Sequence, residues 1–232
     1  MNSRKYFVRL LIACLWLSLS GCQTLSAERF KLDQLVKTDI DMVADLHRQV
    51  MTQLIKEMTV KLYKRNPREL RKASPKTLEE RLAQIAAPPP AQGYAELNGL
   101  RGNAAIQLAF DPSYTSDRVF ALMFGLETMI AKAYNKKHAF YFTDKLNQQS
   151  LYNSARNIET VAWLLKGATR PSQPMILSNG VSDEGYVNAS FERLIGKMIA
   201  TQDMMASIVA DDQNRVIKNV VHKAASLTLL PI

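Results

Sequence analysis

Residues 117–135 read DRVFALMFGLETMIAKAYN, and from Val119 to Leu126 no side chain is polar. Eight such residues followed by Glu127 are too few to span a hydrocarbon core, which takes about 20. The pattern instead predicts a helix over about Asp117–Asn135, capped by Ser116 and buried on several sides. Gly125, in its middle, would let a neighbouring helix approach closely. A carboxylate inside such a helix must be paired, hydrogen-bonded or neutral. Glu127 is therefore the candidate buried functional carboxylate. The alternatives at that position are a structural ion pair and a helix edge touching water.

Working outward, the same periodicity predicts further helices. Thr38 offers an N-cap with Asp39 and Asp41 at the positive end. Val43, His47, Val50, Leu54, Met58 and Leu62 follow at helical spacing as far as about Arg65. Asn66-Pro67-Arg68-Glu69 is a second start, and Ser74-Pro75 a third, for a helix through about Ile85. Pro88-Pro89-Pro90 stops any helix and makes residues 87–93 a stiff connector and a candidate subdomain boundary. Ala104–Phe110 reads as helix or strand. Thr143 caps a helix to about Lys166, with Gly167 as its stop. Residues 170–185 read as a long loop. Asn188 to about Ala210 is helical, and Asp211 or Asp212 caps a last helix through about Leu227. Strand signals are few, so the fold class is all-α, an irregular bundle of about six to seven helices.

Upstream of these helices, Arg4 and Lys5 precede an apolar run from Leu10 to Leu19 and the small residues Ser20-Gly21. That order is the signature of a cleaved secretory signal peptide. Leu19-Ser20-Gly21-Cys22 resembles the lipobox of bacterial lipoproteins. The resemblance implies cleavage before Cys22 and a diacylglyceryl group on its thiol, commonly with acylation of the new amino terminus. Two or three acyl chains make such an anchor effectively permanent, whereas one alone binds only marginally. Gln23 stands where inner-membrane retention in enterobacterial lipoproteins typically uses Asp, which implies the outer membrane. The resulting organisation is a signal peptide (1–21), a lipidated tether (22–37) and a helical, periplasm-facing domain (38–232). With Cys14 lost in the signal, Cys22 is the only cysteine left, and its role is attachment rather than redox or metal chemistry.

The chain carries +9, and removal of Arg4, Lys5 and Arg9 leaves 27 bases against 21 acids. Nine of those bases and four acids lie between Lys56 and Arg81. Export excludes nucleic acid as the partner of this stretch. Lys61, Lys64, Arg65, Arg68, Arg71 and Lys72 are the candidate contacts with an anionic membrane surface, where each base contributes up to ~1 kcal/mol. The alternative is a solvated helix face.

Motifs for chemistry are weak. His47, His138 and His222 belong to no metal-ligand spacing, and His47 reads as a core histidine. Asp41 and Asp45 share a helix face without a third ligand and read as solvated surface. Gly180-Val181-Ser182-Asp183-Glu184-Gly185 misses the nucleophile-elbow spacing by one residue. Gly99-Leu100-Arg101-Gly102 is too short for a phosphate loop. No catalytic residue, metal or cofactor is expected. The leading expectation is a non-enzymatic accessory or scaffold lipoprotein, attached to the membrane through Cys22 and serving an envelope protein partner. Second comes a binding protein for an apolar or lipid-like ligand, and third a hydrolase of envelope polymers.

Overall fold

The structure, a computed structural model, describes residues 39–72, 77–141, 144–166, 175–181, 185, 187–214 and 229–232. The signal, lipobox and tether, together with Ser74-Pro75, Thr143, Gly167 and His222, lie outside the described residues, as does the expected last helix beyond Asn214. The fold is all-α. Among the described residues the helices are α1 (Asp39–Arg65), α2 (Pro67–Lys72), α3 (Leu78–Ala86), α4 (Gly102–Ala109), α5 (Arg118–Ala133), α6 (Gln148–Leu165) and α7 (Ser190–Asp212). A 3₁₀ turn, Ala95–Leu97, lies between α3 and α4. Gly180–Val181, in the expected long loop, pairs antiparallel with Val187–Asn188 just beyond it, and the helix expected from Asn188 starts at Ser190. Lys37–Ile232 forms one compact unit, and the 87–93 connector lies within it.

Helix α5 is the axis of the fold. It packs against α1, α2, α3, α4 and α6, so nearly every one of its side chains is buried. Its cap is Asp117, one residue later than the sequence suggests for Ser116. The Asp117 carboxylate accepts the Phe120 amide at 2.9 Å, and Glu69 on α2 accepts the Arg118 amide at 2.8 Å. Two carboxylates thus stand at the positive end of the helix. Phe120 and Phe124 stack on each other and receive Tyr94 edge-on, with ring centroids 5.1–5.5 Å apart.

Gly125 is where α4 meets α5. A Cβ there would come within 2.8 Å of the Ile106 amide nitrogen and 2.9 Å of the Gly102 carbonyl. The backbones approach too closely for any side chain, as the glycine suggests. The segment around Ala104, open between helix and strand in the sequence, is helix α4.

Three other boundaries differ from the sequence reading. Helix α3 starts from Thr77, which forms a full capping box with Glu80. Helix α6 starts at Gln148 behind Asn147, whose side chain accepts the Ser150 amide at 2.9 Å. Asp211 and Asp212 close α7 rather than cap a following helix.

The buried face of α1 is rotated from the expected one in its first half. Ala44 and Arg48 face inward, while Val50 is exposed and His47 half-buried; Met51 and Ile55, expected to widen the stripe, are buried. The reason is Arg48. Sequence patterning treats an arginine as surface, but this one finds a buried carboxylate partner. Asp41 and Asp45 also depart from the solvated pair expected of them: Asp41 is buried, and Asp45 accepts the Phe140 amide at 2.9 Å.

Candidate ligand cleft

Glu127 lies on α5 and Arg48 on α1, both almost fully buried. Arg48 Nη2 donates to Glu127 Oε1. Arg48 also donates through Nη1 to Thr52 Oγ1 at 2.8 Å, and Thr52 in turn donates to the Arg48 carbonyl at 3.0 Å. The second Glu127 oxygen, Oε2, is buried and accepts no hydrogen bond among the described residues. A buried carboxylate oxygen left without a donor costs roughly 1–3 kcal/mol or more.

Glu127 lines two hollows. The smaller, about 240 Å³, lies between α1 and α3 and is walled mainly by Ile55, Leu82 and Ile85. The larger is a cleft of about 720 Å³, within the usual range for a small-molecule site. Its apolar wall includes Ala86–Pro89, Met129 and Ile232. Arg101, Lys132, Lys136 and His138 also line it, and Glu127 is the only acid among its described lining residues.

Local structure explains how these cations arrive. Arg101 precedes α4 and points back, its guanidinium donating to the carbonyls of Pro90 and Ala91. It therefore ties the proline connector to the rim. Lys132 is in the last turn of α5. Asn135 and Lys136 both take left-handed backbone conformations, with φ of 54° and 61°. Asn135 secures this exit by donating to the Lys145 carbonyl at 3.0 Å. The intervening Lys137 is occupied elsewhere, with Asp144.

The amino end of α4 opens on the same space. Arg101 gives it no side-chain cap. Gly102, at φ 55°, donates its amide to Thr128 Oγ1 at 2.8 Å. The Asn103 and Ala104 amides have no hydrogen-bond acceptor among the described residues.

The far wall of the cleft includes residues near the carboxyl end of the chain, held by asparagines. Asn157 accepts the Leu230 amide at 2.5 Å and donates to the Leu230 carbonyl at 2.9 Å. Asn103 donates to the same carbonyl at 2.7 Å, and Asn153 donates to the Pro231 carbonyl at 2.9 Å. Side-chain amides here replace a partner strand.

A second buried polar cluster lies at the amino end of α5. Arg81 is fully buried, its Nε 3.2 Å from Asp117 Oδ2 and its guanidinium 4.0 Å from the Phe120 ring centroid. Tyr63 donates to Asp117 Oδ2 at 2.7 Å. Burial, then the Asp117 charge, raises the Tyr63 pKa and keeps its hydroxyl a donor. Burial also raises the Asp117 pKa, against the Phe120 amide, the Tyr63 hydroxyl and Arg81. Burial disfavours the Arg81 cation, but Glu96 and Asp117 outweigh it and leave its pKa above the ordinary value. This cluster joins α1, α3, α5 and the 3₁₀ turn and has a structural role.

Of the basic stretch, Lys64, Arg65, Arg68 and Arg71 are exposed. Lys72 is also exposed but pairs with Glu69 at 2.6 Å. Lys61 is half-buried, its Nζ 5.2 Å from the Phe191 ring centroid. Arg81, counted in that stretch, is removed from the surface altogether. Sequence reasoning singled out Glu127 but missed the cations around it. Their signal is the run from Lys132 to His138, KAYNKKH.

No protein-family model matches the chain, and no curated protein or solved structure matches it significantly.

Proposed function

We propose that the chain is a lipid-anchored envelope protein whose helical domain binds a ligand in the cleft beside Glu127 and does not transform it. The observation that carries the binding reading is the cleft of about 720 Å³, with its apolar wall, its cationic rim and a carboxylate oxygen awaiting a donor. A few convergent polar groups in a mainly apolar hollow are the usual composition of a small-molecule site. The anchor reading rests on Leu19-Ser20-Gly21-Cys22, and Gln23 favours the outer membrane with the domain facing the periplasm. No described helix is long and apolar enough to cross a membrane. The accessory role expected from the sequence becomes, in this reading, the holding or presenting of that ligand to another envelope component.

Mass spectrometry of the protein purified natively from producing cells tests both parts. The expected result is an acylated amino-terminal Cys22 together with a non-covalent adduct of a few hundred daltons. A chain recovered without any adduct, and unmoved in melting temperature by envelope lipid extract, would overturn the binding reading. An unmodified Cys22 would overturn the anchor.

A further inference from the structure

We infer that the mouth of the cleft at the amino end of α4 is an oxyanion subsite, and that its ligand is an amphiphile with a carboxylate or phosphate head and a hydrogen-bond donor close to that head. The inference rests on the cleft being a ligand site and names the chemistry it selects.

Three independent features converge on this space. The first is the first turn of α4 at Asn103 and Ala104, whose amides form the positive end of the helix dipole, a natural seat for an oxyanion. The second is the rim of Lys132, Lys136, His138 and Arg101. Neither Lys132 nor Lys136 has an ion-pair partner among the described residues, so an anion entering here meets charge that is not already spent. The third is Glu127, 6% exposed, with Oε2 buried and without a donor. Its other oxygen is held by Arg48, so one acceptor site beside the cleft is left unfilled. A bare anion would not satisfy that site. A ligand hydroxyl or amide N–H near the head would, and the wall of Ala86–Pro89, Met129 and Ile232 would cover an alkyl portion.

Photo-crosslinking on the full-length protein in lipid nanodiscs reads this directly. The probe is a diazirine-bearing dodecanoate, and the crosslinked peptides are mapped by mass spectrometry. Crosslinks are expected within 86–104 and 127–138. Unlabelled dodecanoate and dodecyl phosphate should compete at least tenfold better than dodecanoate methyl ester. 3-Hydroxydodecanoate should compete better than dodecanoate. Inorganic phosphate should compete only at millimolar concentration. Lys132→Gln/Lys136→Gln, both at exposed positions, should lower crosslinking at least fivefold while leaving the melting temperature unchanged.

Each contrary result removes a defined part. Equal competition by the methyl ester, with no effect of the lysine variant, overturns the oxyanion subsite and leaves an apolar site. Phosphate competing as well as dodecyl phosphate overturns the amphiphile. Equal competition by the two acids overturns the role given to Glu127. Crosslinks absent from both segments overturn the cleft itself, and with it the proposed function.

Discussion

Arg81 and Glu96 are joined by a two-pronged hydrogen bond, Nη1 to Oε1 at 2.7 Å and Nη2 to Oε2 at 2.6 Å. The same guanidinium faces Asp117 and covers Phe120. Removing it leaves Asp117 buried without its countercharge. Arg81→Met is therefore expected to cost about 3–5 kcal/mol, the range for breaking a buried pair. Urea denaturation measures this. Arg81→Met combined with Asp117→Asn should lose clearly less than the sum of the two single changes, because the stranded charge is gone. Strict additivity would show that the two residues do not act as a pair.

Gly125→Ala is expected to cost about 1–3 kcal/mol, as overpacking does. Most helical Gly→Ala changes stabilise, so the sign is informative. Adding Ile106→Ala should not restore stability. That change removes the Ile106 Cγ1 contact, but the Ile106 amide and the Gly102 carbonyl remain in the way. A rescue would place the obstruction in the side chain instead of the backbone.

His47 titrates below its ordinary value near 6.5, because burial disfavours the imidazolium. The unfolded chain then takes up the proton first. The stability His47 contributes is present above pH 6.5 and is lost as pH falls below that value through the folded pKa. Unfolding midpoints at pH 7.5 and 5.0 should show a larger acid-side loss for the native chain than for His47→Gln. Identical pH profiles would discount the histidine.

Along the first turns of α1, Met42, Leu46 and Val50 form an exposed apolar ridge, 43%, 58% and 39% accessible. In the proposed reading, a tether of fifteen residues, Gln23–Lys37, joins Cys22 to this helix and reaches at most ~50 Å, so a lipid anchor there would keep the ridge close to the membrane. The exposed bases Lys64 and Arg65 lie at the other end of the helix, and Arg68 follows on α2. An environment-sensitive dye on Leu46→Cys should be quenched by spin-labelled lipids, and a dye on Trp163→Cys, itself exposed elsewhere, should not. Equal quenching at the two positions would count against α1 lying along the membrane.

How much of this was legible beforehand depended on whether a residue acts locally. Glu127 stood out because a charge inside an apolar run is visible in one dimension. Gly125 was legible for the same reason. Arg48 was not: its partner is 79 positions away, and periodicity assigns an arginine to solvent by default. That single exception turned the amino half of α1 on its axis relative to the expected stripe. Caps slipped by one to a few residues, because several residues in each loop could serve and tertiary contacts chose among them. Asp117 displaced Ser116 by also holding Tyr63 and Arg81. The cleft was illegible because its rim is assembled from the connector, α4, α5 and Pro231–Ile232, none of which looks like a site alone.

The asparagine grip on Leu230 and Pro231 bears on when the molecule becomes whole. Asn103, Asn153 and Asn157 emerge long before the segment they hold during synthesis. Until Leu229–Ile232 arrives, Asn157, fully buried in the finished fold, has no peptide to pair with, and the cleft lacks a wall. A chain interrupted before that point keeps the helices but not the partner for their amides. Completion of the cleft wall is thus tied to the last described residues to be made, and in the proposed reading a nascent chain cannot hold its ligand early.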